Sequence, residues 1–196
     1  MSFDEWGPST APAQNPFPVE TLVIETARLA LTPFSRDDLS ELHRLFQDAG
    51  VRRYLLDDQL MPVEWVADEI AASEARFAAD GTGLWAVRLK GERPIIGFVG
   101  FRPFHEPPQL ELLYGLLPAH WAAGFATEAA QAMLRHAFDT LGFTEVHASA
   151  DTGNTRSFGV MERIGMRPDR RVAEGGLDTT HYRITRADYE RGVFGR

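Results

Sequence analysis

The sequence predicts one mixed α/β domain. Three observations carry that expectation. The chain has 196 residues, of which 44% are hydrophobic, enough for one sizeable core. Its apolar period switches between about 3.6 and 2, in the order β-α-α-β-β-β-α-β-α-β-β. No internal repeat and no second compositional regime divides it.

The elements follow in chain order. Residues 1–18, "MSFDEWGPSTAPAQNPFP", hold four prolines and little apolar pattern, so a flexible tail is expected, with the domain over residues 19–196. "TLVIETARLALTPF" alternates and reads as a strand bulged near Ala27. Ser35 then caps a helix with Asp38 three residues on, and Leu39, Leu42 and Phe46 share a face. "VRRYLLDD" links this helix to the next as a surface loop. The second helix opens with Pro62 as its first residue and ends at Gly81. "GLWAVRLK", "PIIGFVGF" and "QLELLYGLL" have period two and read as an antiparallel meander. A helix over 124–141 follows, then the strand "TEVHASA" and a short helix capped by Asn154 and closed by Gly165. "MRPDRRVAEGGLDTTHYRIT" reads as a closing hairpin turning near Gly175 and Gly176.

Composition excludes several classes. With no cysteine there is no disulfide framework, zinc finger or thiol nucleophile, and a reducing cytoplasm is the expected setting. A net charge of −8 argues against a nucleic-acid partner and suits cationic ones such as amines. The N-terminal residues do not read as a signal peptide, and no apolar run is long enough for a membrane span.

The most informative stretch is "LLPAHWAAGFATEAAQAMLRHAF", residues 116–138. A strand stops, small residues turn the chain, and a helix begins at Gly124. A helix N-terminus presents unpaired N–H groups and partial positive charge, which suits a phosphate. Gly124 has no Cβ to hold an anion away from the backbone. No Walker lysine and no G-x-G-x-x-G after a strand are present, so P-loop and Rossmann readings lack support.

Four pieces occur in order: "ETARLALTPFSRDDLSEL", "ELLYGLLPAHWAAGFATEA", "NTRSFGVMERIGM" and "HYRITRADY". Together they resemble the GNAT acetyltransferase superfamily, in particular its branch of ribosomal-protein N-terminal acetyltransferases, over about residues 21–190. The second piece is similar to the acetyl-CoA motif Q/R-x-x-G-x-G/A. Trp121 stands at the first position, and Ala122 and Ala123 replace a common Gly and Lys/Arg. The resemblance implies a mixed, mostly antiparallel sheet flanked by helices, whose fourth and fifth strands, "QLELLYGLL" and "TEVHASA", splay apart. It implies acetyl-CoA as co-substrate, its pantetheine arm bonded near Leu116. The pyrophosphate would lie on the turn formed by Trp121, Ala122, Ala123, Gly124, Phe125, Ala126 and Thr127. Asn154 and Ser157 would sit near the arm and the thiol. The acceptor implied is a primary amine, on a protein N-terminus or a small molecule, and two GNAT domains often pair, so a homodimer is a candidate assembly.

An amine must be neutral to attack a thioester. A lysine-type amine of pKa about 10.4 is neutral roughly one time in 2,500 at pH 7, and an α-amine of pKa about 7.8 more than a tenth of the time. A carboxylate or a water chain therefore suffices as base. The resemblance points to Glu111 as that base. The family's usual tyrosine acid has no counterpart near Val160 and Met161, and Ser157 or water would return the proton. With no cysteine and no Ser–His pair at known spacing, direct attack in a ternary complex is expected. The six histidines lack metal-ligand spacing, so no metal is expected. His105, in the Pro-rich loop before the Glu111 strand, and Tyr54, in the link between the early helices, are candidate acceptor contacts. Two alternatives stay open: a non-catalytic CoA- or metabolite-binding module, and use of another acyl-CoA donor.

Overall fold

Residues 22–105, 107–174 and 177–192 are described by the computed structural model. The expected tail, Glu106 and the turn glycines Gly175 and Gly176 lie outside them. In chain order the elements are β1 (Ile24–Glu25), β2 (Leu29–Pro33), α1 (Leu39–Gln47), α2 (Ala49–Leu55), α3 (Val63–Asp80), β3 (Leu84–Leu89), β4 (Ile95–Phe104) and β5 (Gln109–Leu116). Then come α4 (Phe125–Arg135), β6 (Glu145–Asp151), α5 (Thr155–Arg163), β7 (Arg167–Glu174), β8 (Leu177–Thr185) and α6 (Arg186–Glu190). The strands form one sheet, ordered β1-β2-β3-β4-β5-β6-β8-β7. Every neighbouring pair is antiparallel except β5 and β6, which run parallel. The mixed, mostly antiparallel sheet flanked by helices is thus the one expected.

Alternation along the strands gives the sheet two apolar faces. Leu84, Ala86 and Phe98 pack with Leu42, Leu45 and Phe46 of α1 and Val66 and Ile70 of α3. Trp85, Val87, Val99, Leu112, Val146 and Ala148 pack with Ala130, Met133 and Leu134 of α4 and Met161 of α5. Both faces are covered, which is why "IIGFVGF" is nearly continuous in apolar character.

Several local expectations are corrected. The stretch read as one bulged strand is a tight hairpin, with Ile24 opposite Leu31 and Glu25 opposite Ala30. The turn closes because Thr26 Oγ1 accepts the Leu29 amide at 2.9 Å. Ser35 precedes a 3-10 turn over Arg36–Asp38, and its hydroxyl donates to the Asp38 carboxylate at 3.0 Å instead of accepting a backbone amide. The linker read as a surface loop contains α2, capped by Asp48, whose side chain accepts the Gly50 amide at 2.8 Å. Pro62 is the cap of α3 and not its first helical residue. The helix expected over 124–141 is α-helical to Arg135 and then widens to a π turn over His136–Thr140, where Leu141 N–H bonds His136 O at 3.0 Å. "HYRITRADY" ends in α6, which starts at a capping box between Thr185 and Asp188.

Fully buried Ser73 joins α3 to the sheet: its Oγ accepts the Leu84 amide at 2.7 Å. Ser73→Ala leaves that amide without a partner in a dry site. We expect a loss of about 1–3 kcal/mol, read as a lower urea midpoint with an unchanged slope.

Candidate active site

The parallel strands β5 and β6 pair at one position, Glu111 opposite His147. Beyond it β5 continues to Leu116 with β4 as its only paired strand among the described residues, while β6 pairs along its whole length with β8. A gap therefore opens inside the sheet, with α4 beginning just past its wide end.

Gly124 caps α4 at φ +82°, a left-handed conformation that costs glycine little. A Cβ there would meet only Arg28 Nη2, at 3.4 Å. The amides of Phe125, Ala126 and Thr127 are those that a helix leaves without an internal acceptor. Ala122 is also left-handed, at φ +60°. Arg28, from the β1–β2 turn, lies across this turn. Its Nη1 donates to Ala123 O at 2.9 Å, its Nε to Glu128 Oε2 at 2.7 Å, and its guanidinium stacks on Phe125 at 4.5 Å. A cation thus stands beside the turn although Ala123 supplies none.

Trp121 is held between two elements. A Cβ on Gly50 of α2 would come within 3.0 Å of its ring, and Arg156 of α5 stacks on it at 4.3 Å. Its Nε1 donates to Leu116 O at 2.7 Å, so the carbonyl at the end of β5 already has a partner.

At the narrow end, register assembles a polar cluster. Directly opposed residues share a face, as do residues two apart in a strand. Glu111 faces with His147 and so with Ser149, which is opposite His181 of β8. The Glu111 side chain is only 3% exposed. Ser149 Oγ donates to its Oε2 at 2.5 Å, and His105 Nε2 lies 2.9 Å from Oε1. His181 Nδ1 stands 3.7 Å from the same Oε1. Burial holds His181 below the usual imidazole range; Arg170 adds to this and Glu111 opposes it. The structure therefore brings together Glu111 and His105, and adds Ser149 and His181, which the sequence reading missed. Their only local signal is polar residues on the alternating face of "VHASA" and "HYRIT".

The other candidates lie elsewhere. Asn154 caps α5, its Oδ1 accepting the Ser157 amide at 3.4 Å. Tyr114 Oη donates to Ser157 O at 3.0 Å, and burial pushes this phenol well above its usual pKa, with Ser157 pulling partly back. Tyr114 and Glu111 are three apart on β5, so they point to opposite faces, and Ser157 lies on the face away from Glu111. Tyr54 does not join the Glu111 group; its Oη donates to Gly153 O at 3.4 Å, across the loop before α5. Asp151, beside that loop, has its carboxyl raised by burial and by Asp57 and Asp178.

Glu128 ties the turn of α4 to the β1–β2 hairpin, accepting from Thr26 Oγ1 at 2.6 Å and from Arg28 N at 2.8 Å. Burial pushes its carboxyl up, but these hydrogen bonds and the Arg28 charge outweigh that and hold it below the usual range. A carboxylate depressed in the folded state binds fewer protons there than in the unfolded chain. Its stabilisation is present above the unfolded value and lost as pH falls through the folded one. Glu128→Gln should lower the melting temperature at pH 7 and flatten its acid dependence below about pH 4.5.

Comparison with known proteins agrees with this geometry. The model of the acetyltransferase (GNAT) domain matches residues 28–167. The uncharacterised protein YkkB of Bacillus subtilis is 32% identical over 135 residues, 67% of this chain and 76% of that protein. A GNAT-family acetyltransferase from Bacillus anthracis superposes with a TM-score of 0.71 at 24% identity, covering 85% of this chain and 99% of that one. RimL, a ribosomal-protein α-N-acetyltransferase in complex with coenzyme A, superposes at 0.71 with 14% identity, covering 83% and 97%. A family match over most of the chain, on a fold whose sheet opens above a small-residue helix turn, makes this protein a member of the GNAT acetyltransferase family.

Proposed function

We propose that the protein is an acetyl-CoA-dependent N-acetyltransferase acting on a primary amine in a ternary complex. The observation that carries this is the gap between β5 and β6, with the α4 turn at its wide end and a buried carboxylate at its narrow end. An unpaired strand edge inside a sheet leaves main-chain groups for an extended ligand to bond. The amide-bearing pantetheine arm has that character, and the Leu116 region is where it would bond. The residues fit the co-substrate: Gly124 leaves room that a side chain would fill, and the helix-start amides of Phe125, Ala126 and Thr127 have no acceptor within the helix, with Arg28 beside them. Arg28 takes over the role of the basic side chain missing at Ala123. Acetyl-CoA supplies the acyl group as a thioester.

The rest is done by this chain. Glu111 accepts the proton of the attacking amine, with Ser149 and His105 fixing its two oxygens. His105, at the outer side of that cluster, and Tyr54 contact the acceptor. Asn154 holds the first turn of α5, and Ser157 or water returns a proton to the departing thiolate from the opposite face of β5. Proton removal and proton return are thereby separated by the strand. The acidic neighbours Asp57 and Asp151, beside the loop that Tyr54 reaches, favour an acceptor carrying further positive charge.

Two experiments test this. Acetyl-CoA should raise the melting temperature by mass action, and Gly124→Glu should abolish the rise by placing a charged side chain in the turn. Equal shifts in both proteins would remove the cofactor site from α4; a larger shift with a longer acyl-CoA would favour the other donor. Glu111→Gln should lower the rate of amine-dependent thiol release by about 10²–10⁴ with acetyl-CoA binding kept, and higher pH should partly restore it as more acceptor becomes neutral. A mutant as fast as wild type at neutral pH would return Glu111 to a structural role. Tight acetyl-CoA binding without turnover of any amine by either protein would favour the binding-module reading.

A further inference from the structure

We propose that His105, Glu111 and His181 form a binding site for a divalent transition-metal ion of the zinc class, and that an ion held there switches off proton transfer at Glu111. Among the described residues this is the one place where three histidine or carboxylate donors converge, with all three ligand atoms within 4.8 Å of one another.

The spacing suits a shared ion. Two ligands at about 2.0–2.1 Å from a tetrahedral zinc lie about 3.3 Å apart. His105 Nε2 and His181 Nδ1 are 2.9 and 3.7 Å from Glu111 Oε1, on either side of that value. The longer separation exceeds a hydrogen bond. His181 is nonetheless 5% exposed, and among the described residues no hydrogen bond reaches its ring. Its Nδ1 therefore faces the Glu111 carboxylate at a separation that an ion bound by both would bring within ligand range.

The surroundings agree. Ser149 holds the other oxygen, Oε2, at 2.5 Å, the kind of support that orients a ligating carboxylate. Glu111 and His181 come from strands, β5 and β8, that flank β6, so two of the three ligands sit on rigid backbone. Arg170, the cation near His181, is turned to Asp169 at 3.5 Å. The side chain of His105 is 37% exposed, so the fourth direction faces solvent, leaving room for water or an acceptor amine. Two imidazoles and one carboxylate with an open position suit zinc-class ions better than magnesium or calcium, which prefer oxygen. Binding replaces the proton shared between His105 and Glu111 by the ion, and that proton leaves to solvent. The charge of the ion then lowers the proton affinity of the Glu111 carboxylate, so it no longer takes the amine proton.

The inhibitory part rests on the acetyl-transfer reading; the binding part does not. The test titrates zinc chloride into protein free of acetyl-CoA, followed by calorimetry and by competition with a chromogenic zinc indicator. One ion should bind per chain, and His105→Ala and His181→Ala should each weaken it by about tenfold or more. If buried His181→Ala does not fold, His105→Ala, at the exposed end, carries the test. Absence of binding, or equal affinity in His105→Ala, overturns the site. In turnover assays zinc should inhibit thiol release in step with occupancy, chelator should reverse it, and His105→Ala should lose that sensitivity relative to its own zinc-free rate. Occupied zinc that leaves the wild-type rate unchanged overturns the switch. Zinc binding without turnover of any amine would uphold the site and remove the acetyl-transfer reading; turnover without zinc binding would do the reverse.

Discussion

The single contact between β5 and β6 governs the architecture of this protein. Parallel neighbours need a long crossover, here α4, and a crossover helix must start close to the end of the strand it leaves. Because β5 is committed to β4 and β6 to β8, neither can rotate to close the space between them. The sheet therefore carries an open seam in its middle. The helix N-terminus falls at the wide end of the seam and Glu111 at its apex. Cofactor and acceptor chemistry, as proposed, inherit their separation from this geometry.

Electrostatics follows from the same placement. The chain is acidic overall, with net charge −8, yet the turn proposed to hold phosphate has Arg28 across it. That cation comes from a hairpin about a hundred residues earlier and is locked by Glu128 within α4 itself. The clasp is thus two-sided: Glu128 helps close the β1–β2 turn through Thr26 and aims Arg28 over Phe125. Where Ala123 carries no charge, tertiary structure brings the Arg28 guanidinium beside the turn, paired with Glu128.

Glu111 illustrates the cost of putting a carboxylate in a sheet. A buried ionised group without partners would be strongly unfavourable. Here Ser149 and His105 each bond one oxygen, and His181 stands close by. An oxygen held this way keeps its lone pairs oriented in a defined direction. The same preorganisation serves a proton acceptor and a metal ligand, which is why the two proposed roles compete for one atom.

The sequence by itself determined the alternation of helix and strand, the capping of α5 by Asn154, and the small-residue turn at Gly124. Each rests on neighbours a few residues apart: an apolar period, a side chain reaching its own helix start, a residue without Cβ. It also pointed to Glu111 through resemblance and to His105 through its place in the Pro-rich loop before that strand. It misread the first strand, because no glycine or proline marks the turn at residues 26–28, which Thr26 closes onto Leu29. It missed α2, whose cap Asp48 is a weak signal in a short helix. Tertiary structure alone decided that Ser149 and His181 meet Glu111, that Arg28 covers the α4 turn, and that Tyr114 reaches Ser157. These contacts join residues 38 to 95 positions apart, and strand register, which no local pattern encodes, sets which of them share a face.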